Sequence, residues 1–188
     1  MNKEKIVNFV KNFDPEHIRI KNFGNKARIQ IAGKTPNGRP ALAAYLTINF
    51  RPNSEVYIAD GKTEEPFRGS NKKYGTFIRA LATRAAIKGG ARVVTHRGVN
   101  KENLVARPFL EKIAKNRNMS LKQLLKTDPS IVNQVPNPIS TKIVRNKLGF
   151  VHRPNGHKHE SIFRNNMNTV QLNQLLKSWH QPNVLFAA

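Results

Sequence analysis

The spacing of hydrophobic and polar positions changes period several times along the chain. Ile6, Phe9, Val10 and Phe13 recur at helical intervals and stop at Asp14-Pro15, which predicts an opening helix. Segments 17–32 and 41–50 read as strands. Within them IRIKNFGNKARIQIAG alternates and predicts a hairpin around Phe23-Gly24-Asn25, and ALAAYLTINF is β-rich and largely apolar. GKTPNGRP between them is a turn cluster. SEVYIA, 54–59, predicts a further strand that ends in an acidic turn at Asp60-Gly61.

From Gly75 to Lys88 the period returns to that of a helix, with Ile78, Leu81, Ala82 and Ala85 on one face. Ala91 to His96 reads as a strand. Helices follow at Leu104–Lys115, Leu121–Lys126 and Ile139–Leu148, the last with Asn137 as N-cap, Pro138 in its first turn and Gly149 just past its end. A short strand at His159–Phe163 precedes a final helix carrying Leu172, Leu175, Leu176 and Trp179. The expected fold class is α/β, a mixed central sheet flanked by helices. A single domain is expected over 1–188, with its core at 17–163 and a helical extension at 164–188. The sequence contains no internal repeat and no linker long enough to separate domains.

Charge narrows the function. The 188 residues carry a formal net charge of +22. Self-repulsion on that scale is relieved by a polyanion, so nucleic acid or a nucleoprotein partner is the expected associate. There is no cysteine, which removes disulfides, Cys-ligated zinc and a thiol nucleophile, and fits the cytoplasm, another reducing intracellular compartment, or a virus particle. No apolar run approaches the roughly 20 residues that cross a bilayer, so no membrane span is expected. His157, His159, Glu160 and His152 lie close in sequence without an evident third metal ligand, and no metal site is expected.

Pro66 to Lys101 contains nine Lys or Arg and no acid. A lysine-rich loop there runs into the Gly75–Lys88 helix. The first turn of a helix has unpaired N–H groups and the positive end of the dipole, which favours an anion. The expected phosphate site is Arg68, Gly69, Lys72, Lys73, Gly75 and Thr76. A second acid-free stretch spans Pro129 to His159. Arg79, Arg84, Lys88, Arg92, Arg97 and Lys101, with Lys142, Arg145, Lys147 and Arg153, are the expected nucleic-acid contacts, binding phosphates with little base reading.

GTFIRALATRAAIKGGARVV resembles the central segment of the GNAT acetyltransferase superfamily, and ISTKIVRNKLGF looks like its later helix. Asn103-Leu104-Val105-Ala106 echoes the start of that helix, so two candidates for it are separated by an apparent helical insertion around 104–136. The resemblance implies an acyl-CoA N-acyltransferase fold, acetyl-CoA as cofactor and an amine acceptor. The family's turn, Gln/Arg-x-x-Gly-x-Gly/Ala, is met here by Ser70-Asn71-Lys72-Lys73-Tyr74-Gly75, which keeps only the final glycine. Family members often take a base from the strand before the turn, which points to Glu55 with Asp60 behind it, and an acid from a tyrosine on the later helix. No tyrosine follows Tyr74. The alternative is a catalytically silent GNAT-like fold serving as a basic nucleic-acid-binding or structural component.

Overall fold

The structure, a computed structural model, describes residues 1–67, 73–97, 107–128, 131, 143–152 and 160–179. Its packing divides into two compact units, Met1–Thr95 with Phe163–Ala188, and His96–Ile162.

In the first unit the chain opens with α1 (Lys3–Lys11), capped by the Asn2 side chain, which accepts from the Lys5 N–H at 2.9 Å. An asparagine at this position satisfies a donor the first turn leaves over. Four strands follow: β1 (Ile18–Phe23), β2 (Lys26–Lys34), β3 (Pro40–Arg51) and β4 (Glu55–Thr63). Each pairs antiparallel with the next. The β1–β2 turn is Gly24-Asn25, where Gly24 takes φ +65°, a left-handed conformation that a two-residue hairpin requires and glycine adopts freely. Helix α2 (Tyr74–Lys88) then leads to β5 (Val93–Arg97), which lies beside β4. A helix connecting neighbouring strands is the crossover characteristic of parallel pairing. The sheet is mixed, in the order β1-β2-β3-β4-β5-β7, where β7 is Glu160–Arg164.

Alternation divides the β1–β4 sheet into two unlike faces. Ile18, Ala27, Ile29, Ile31, Leu46, Ile48, Phe50, Val56 and Ile58 are buried on one of them. Helix α2 packs there, with Ile78, Leu81, Ala82 and Ala85 all at 0% exposure, and α1 and the final helix α5 (Val170–Trp179) pack against α2. Full burial of a leucine such as Leu81 contributes about 1.5–3 kcal/mol. Trp179 stacks on Phe77 with ring centroids 3.8 Å apart and meets Tyr74 edge-on at 6.0 Å.

The structure corrects the expected turn at Asp60-Gly61, because β4 continues through it to Thr63. Thr47 pairs with Asp60 and Ile48 with Ile58, leaving Ala59 as an extra residue in a bulge. Gly61 then lies against the core, where an added Cβ would stand 2.5 Å from Leu46 Cδ1. Polar residues and a glycine resemble a turn in sequence, but the bulge lets them continue the strand.

The second unit contains α3 (Arg107–Asn116) and α4 (Leu121–Thr127), packed through Leu110, Ala114, Leu124 and Ile131. Ser120 and Gln123 form a reciprocal capping box at the start of α4. Both helices lie in the region expected as a helical insertion. Where a regular helix is expected over Ile139–Leu148, the described part, Ile143–Lys147, is π-helical. Gly149 follows at φ +75° and the Phe150 N–H donates to the Val144 carbonyl at 3.2 Å, closing the segment. Asn137 and Pro138 lie outside the described residues. A two-residue strand, β6 (Val151–His152), pairs antiparallel with the start of β7.

Candidate functional site

Helix α2 begins where β4 has just ended. Lys73, its N-cap, is exposed and sits in the left-handed region at φ +46°, ψ +33°, and its side chain makes no capping bond. This conformation is uncommon for a residue with a Cβ. Gly75 follows in a narrow place: an added Cβ would stand 2.8 Å from Thr63 Oγ1 and 3.3 Å from Arg79 Nη1. The glycine therefore lets the first turn of α2 approach the end of β4 closely.

Arg79 fixes the same turn from inside. Its Nη1 donates to the Gly75 carbonyl at 2.7 Å, and an added Cβ on Gly61 would stand 3.4 Å from its Nη2. Burial pushes the guanidinium pKa down to about 10, against an upward pull from Asp60, so it is charged at neutral pH. The first turn of α2 contains no acid. A positive helix end and an exposed lysine are features that favour an anion.

The remaining expected phosphate ligands divide. Arg68, Gly69 and Lys72 lie outside the described residues. Thr76 is buried and its N–H already donates to the Lys73 carbonyl at 2.9 Å; it packs the first turn instead of presenting an open donor. Tyr74, also buried, packs edge-on to Phe67 at 5.5 Å. Its hydroxyl has no hydrogen-bond partner among the described residues, and burial raises its pKa.

The expected base occupies a different location. Glu55 opens β4 opposite Arg51 and accepts from its Nη1 at 3.2 Å. Eight residues along the strand, roughly 25 Å at about 3.3 Å each, separate it from Thr63. Asp60 is the exposed carboxylate on the half of β4 that meets the start of α2, next to the Ala59 bulge. Sequence distance alone sets no preference between the two acids, because the bulge hides where the strand ends.

The expected nucleic-acid residues are similarly divided. Arg79 is half-buried, with its guanidinium bonded to the Gly75 carbonyl. Arg84 is half-buried, and Lys88 and Arg92 are exposed. In the second unit Arg145 Nε donates to the buried Ser161 hydroxyl at 3.0 Å, and Lys147 is exposed. Arg97 ends β5; Lys101, Lys142 and Arg153 lie outside the described residues. Among the described residues no group of His, Asp or Glu is arranged to hold a metal ion, and no helix is long and apolar enough to cross a membrane. His157 and His159 lie outside the described residues.

Four strands, a helix opened by a glycine close to the last of them, the Gly89-Gly90 turn and a fifth strand beside the fourth reproduce the expected order. The fold is α/β, a mixed sheet with helices packed on it. No family model matches the chain, and no curated protein matches it. Solved structures similar to this chain include a nourseothricin acetyltransferase, at 16% identity and TM-score 0.34, covering 50% of this chain and 65% of that one. A protein assigned as a streptothricin acetyltransferase from Bacillus anthracis str. Ames, in complex with acetyl coenzyme A, is 18% identical at TM-score 0.35, covering 52% and 58%. The KacTA–DNA complex is 11% identical at TM-score 0.43, covering 84% and 76%. The chain thus spans less than two thirds of the length of either antibiotic acetyltransferase.

Proposed function

We propose that this GNAT-like protein is an acyl-CoA N-acetyltransferase whose amine acceptor is carried by, or bound to, nucleic acid or a nucleoprotein. The start of α2 carries the reading: Gly75 seated against Thr63, Lys73 exposed beside it, and Arg79 bonded to the Gly75 carbonyl. Its donor chemistry fits the phosphates of acetyl-CoA, with Lys73 and the backbone at Gly75 as ligands, joined by Arg68, Gly69 and Lys72. Bound acetyl-CoA supplies an activated acetyl thioester. The chain's task is to orient the acceptor and remove its proton, since an ammonium has no free electron pair to attack with. Asp60 is the carboxylate for that proton, because it is exposed and stands on β4 toward the end that meets α2. The +22 charge recruits the acceptor by attracting its polyanionic carrier.

A second reading has its own observation. Glu55 is held by Arg51 at the end of β4 far from the start of α2, and no tyrosine follows Tyr74 to protonate a departing thiolate. A catalytically silent, basic GNAT-like component has the same anion site without turnover.

Calorimetric titration with acetyl-CoA, followed by a thiol-release assay on lysine peptides with and without oligonucleotide, separates the two. Binding with turnover is the expected result. Binding without turnover on any amine establishes the silent component, and an absence of binding overturns the cofactor assignment.

A further inference from the structure

The sheet face opposite α2 has its own chemistry. Arg19, Lys21 and Phe23 alternate along β1 with the buried Ile18 and the partly buried Ile20, so they point away from the core. Register places Lys21 opposite Arg28 and Phe23 opposite Lys26 on β2. All five of these side chains are exposed, and Phe23 is 61% exposed. One strand further in, the Arg28 guanidinium lies over the Tyr45 ring, 4.8 Å from its centroid.

This face contains no carboxylate on β1, β2 or β3. The sequence has no Asp or Glu from residue 17 to 54, a longer acid-free run than Pro66–Lys101, and it holds seven Lys or Arg. Four of those cations, Arg19, Lys21, Lys26 and Arg28, fall on this one face around an exposed phenylalanine. The first acids across the sheet are on β4: Glu55, engaged by Arg51, and the exposed Asp60, which register places opposite Thr47 beside the platform. A face that served only solubility would not need a large aromatic at 61% exposure amid four cations.

The geometry points to this open face of β1–β3 as a binding platform for single-stranded nucleic acid. Arg19, Lys21, Lys26 and Arg28 hold phosphates, while Phe23 and the Arg28–Tyr45 stack offer flat surfaces to bases. Cations on strands repeat every second residue, about 6.7 Å apart, and form a two-dimensional array over which an extended backbone can run. Unstacked bases are held by aromatic rings and guanidinium planes, which duplexes cannot exploit because their bases are already stacked inside. The aromatics stand on separate strands far apart in sequence, so no linear motif reveals them. This inference rests on the polyanion part of the proposed function and is independent of acetyl-CoA.

The test is fluorescence anisotropy with a labelled mixed-sequence single strand and a duplex of equal length, over several salt concentrations. The proteins compared are the wild type, the triple variant R19S/K21S/R28S, F23S, and R84S/K88S on α2. All changes except that at Arg84 are at exposed side chains, and melting curves verify folding. The triple variant is expected to lose about tenfold or more in single-strand affinity, with the log–log salt slope shallower by about 0.7 for each phosphate no longer neutralised. F23S is expected to lose about fivefold on the single strand and little on the duplex. Acetyl-CoA binding should be unchanged in both. If R84S/K88S loses affinity and the triple variant does not, this platform is wrong while the polyanion reading stands. A wild type that binds neither probe at low salt overturns both, and equal losses on both probes with F23S overturn the single-strand assignment.

Discussion

The indole Nε1 of Trp179 donates to the carboxylate of Asp14 at 2.6 Å, joining residues 165 positions apart. Asp14 also accepts from the His17 backbone N–H at 3.2 Å and meets His17 Nδ1 at 3.0 Å. With Trp179 stacked on Phe77, this bond fastens α5 to α2 and to the turn before β1. Truncating Trp179 to alanine removes a large buried ring and leaves the carboxylate without its indole partner. A loss of about 3–5 kcal/mol is expected by denaturant unfolding.

The same carboxylate gives a pH signature. Burial pushes the Asp14 pKa up, but the hydrogen bonds from Trp179 and His17 outweigh it and hold the pKa below 3.8. A carboxylate depressed in the folded state stabilises above its unfolded pKa, and that contribution is lost as pH falls through the folded value. Wild type should therefore exceed Asp14→Asn in melting temperature at about pH 6. The gap should narrow as pH drops below about 4. A constant gap down to about pH 2 would remove Asp14 ionisation as its cause.

Gly75→Ala tests the close approach of α2 to β4. Its Cβ would intrude to 2.8 Å from Thr63 Oγ1, and a cost of about 1–3 kcal/mol is expected. The double variant with Thr63→Ala should lose less than the sum of the two single changes, because the intruding methyl then has room. Strict additivity in chemical denaturation would show that the glycine is not required by that contact.

Asp60→Asn should reduce acetyl transfer by about 100- to 10,000-fold if Asp60 is the base, with little change in acetyl-CoA affinity. Glu55→Gln should leave turnover within a few fold and cost stability by no more than about 1 kcal/mol, since its partner Arg51 is 40% exposed. The reverse ranking in a steady-state assay would restore Glu55 to the role expected from the family resemblance.

Elements with strong periodicity are legible in the sequence. The hairpin through Phe23-Gly24-Asn25, the buried side of α2 and the final helix follow from local pattern, because burial of one face is what sets that pattern. Three features are not legible, each for a non-local reason. The full length of β4 depends on a bulge that polar residues conceal. Arg79 reads as one more surface cation until its helix is docked, when its guanidinium meets the Gly75 carbonyl. The platform of Arg19, Lys21, Phe23 and Arg28 exists only through cross-strand register. Of the candidate phosphate turn, Lys73 and Gly75 can be read as a segment, but nothing local marks Lys73 for the left-handed conformation it adopts.

The Ala59 bulge has a consequence for how this strand can change over evolutionary time. A β-strand is a two-phase lattice, and one inserted residue normally inverts everything downstream. Here the bulge absorbs the odd residue, so Val56 and Ile58 before it share the core phase with Gly61 and Thr63 after it. Removing Ala59 would not invert the strand but would regularise it, preserving which residues face the core. Position 59 is thus a point where β4 can gain or lose one residue without scrambling its inside and outside. The local curvature beside Asp60 can therefore vary independently of the packing that holds the fold.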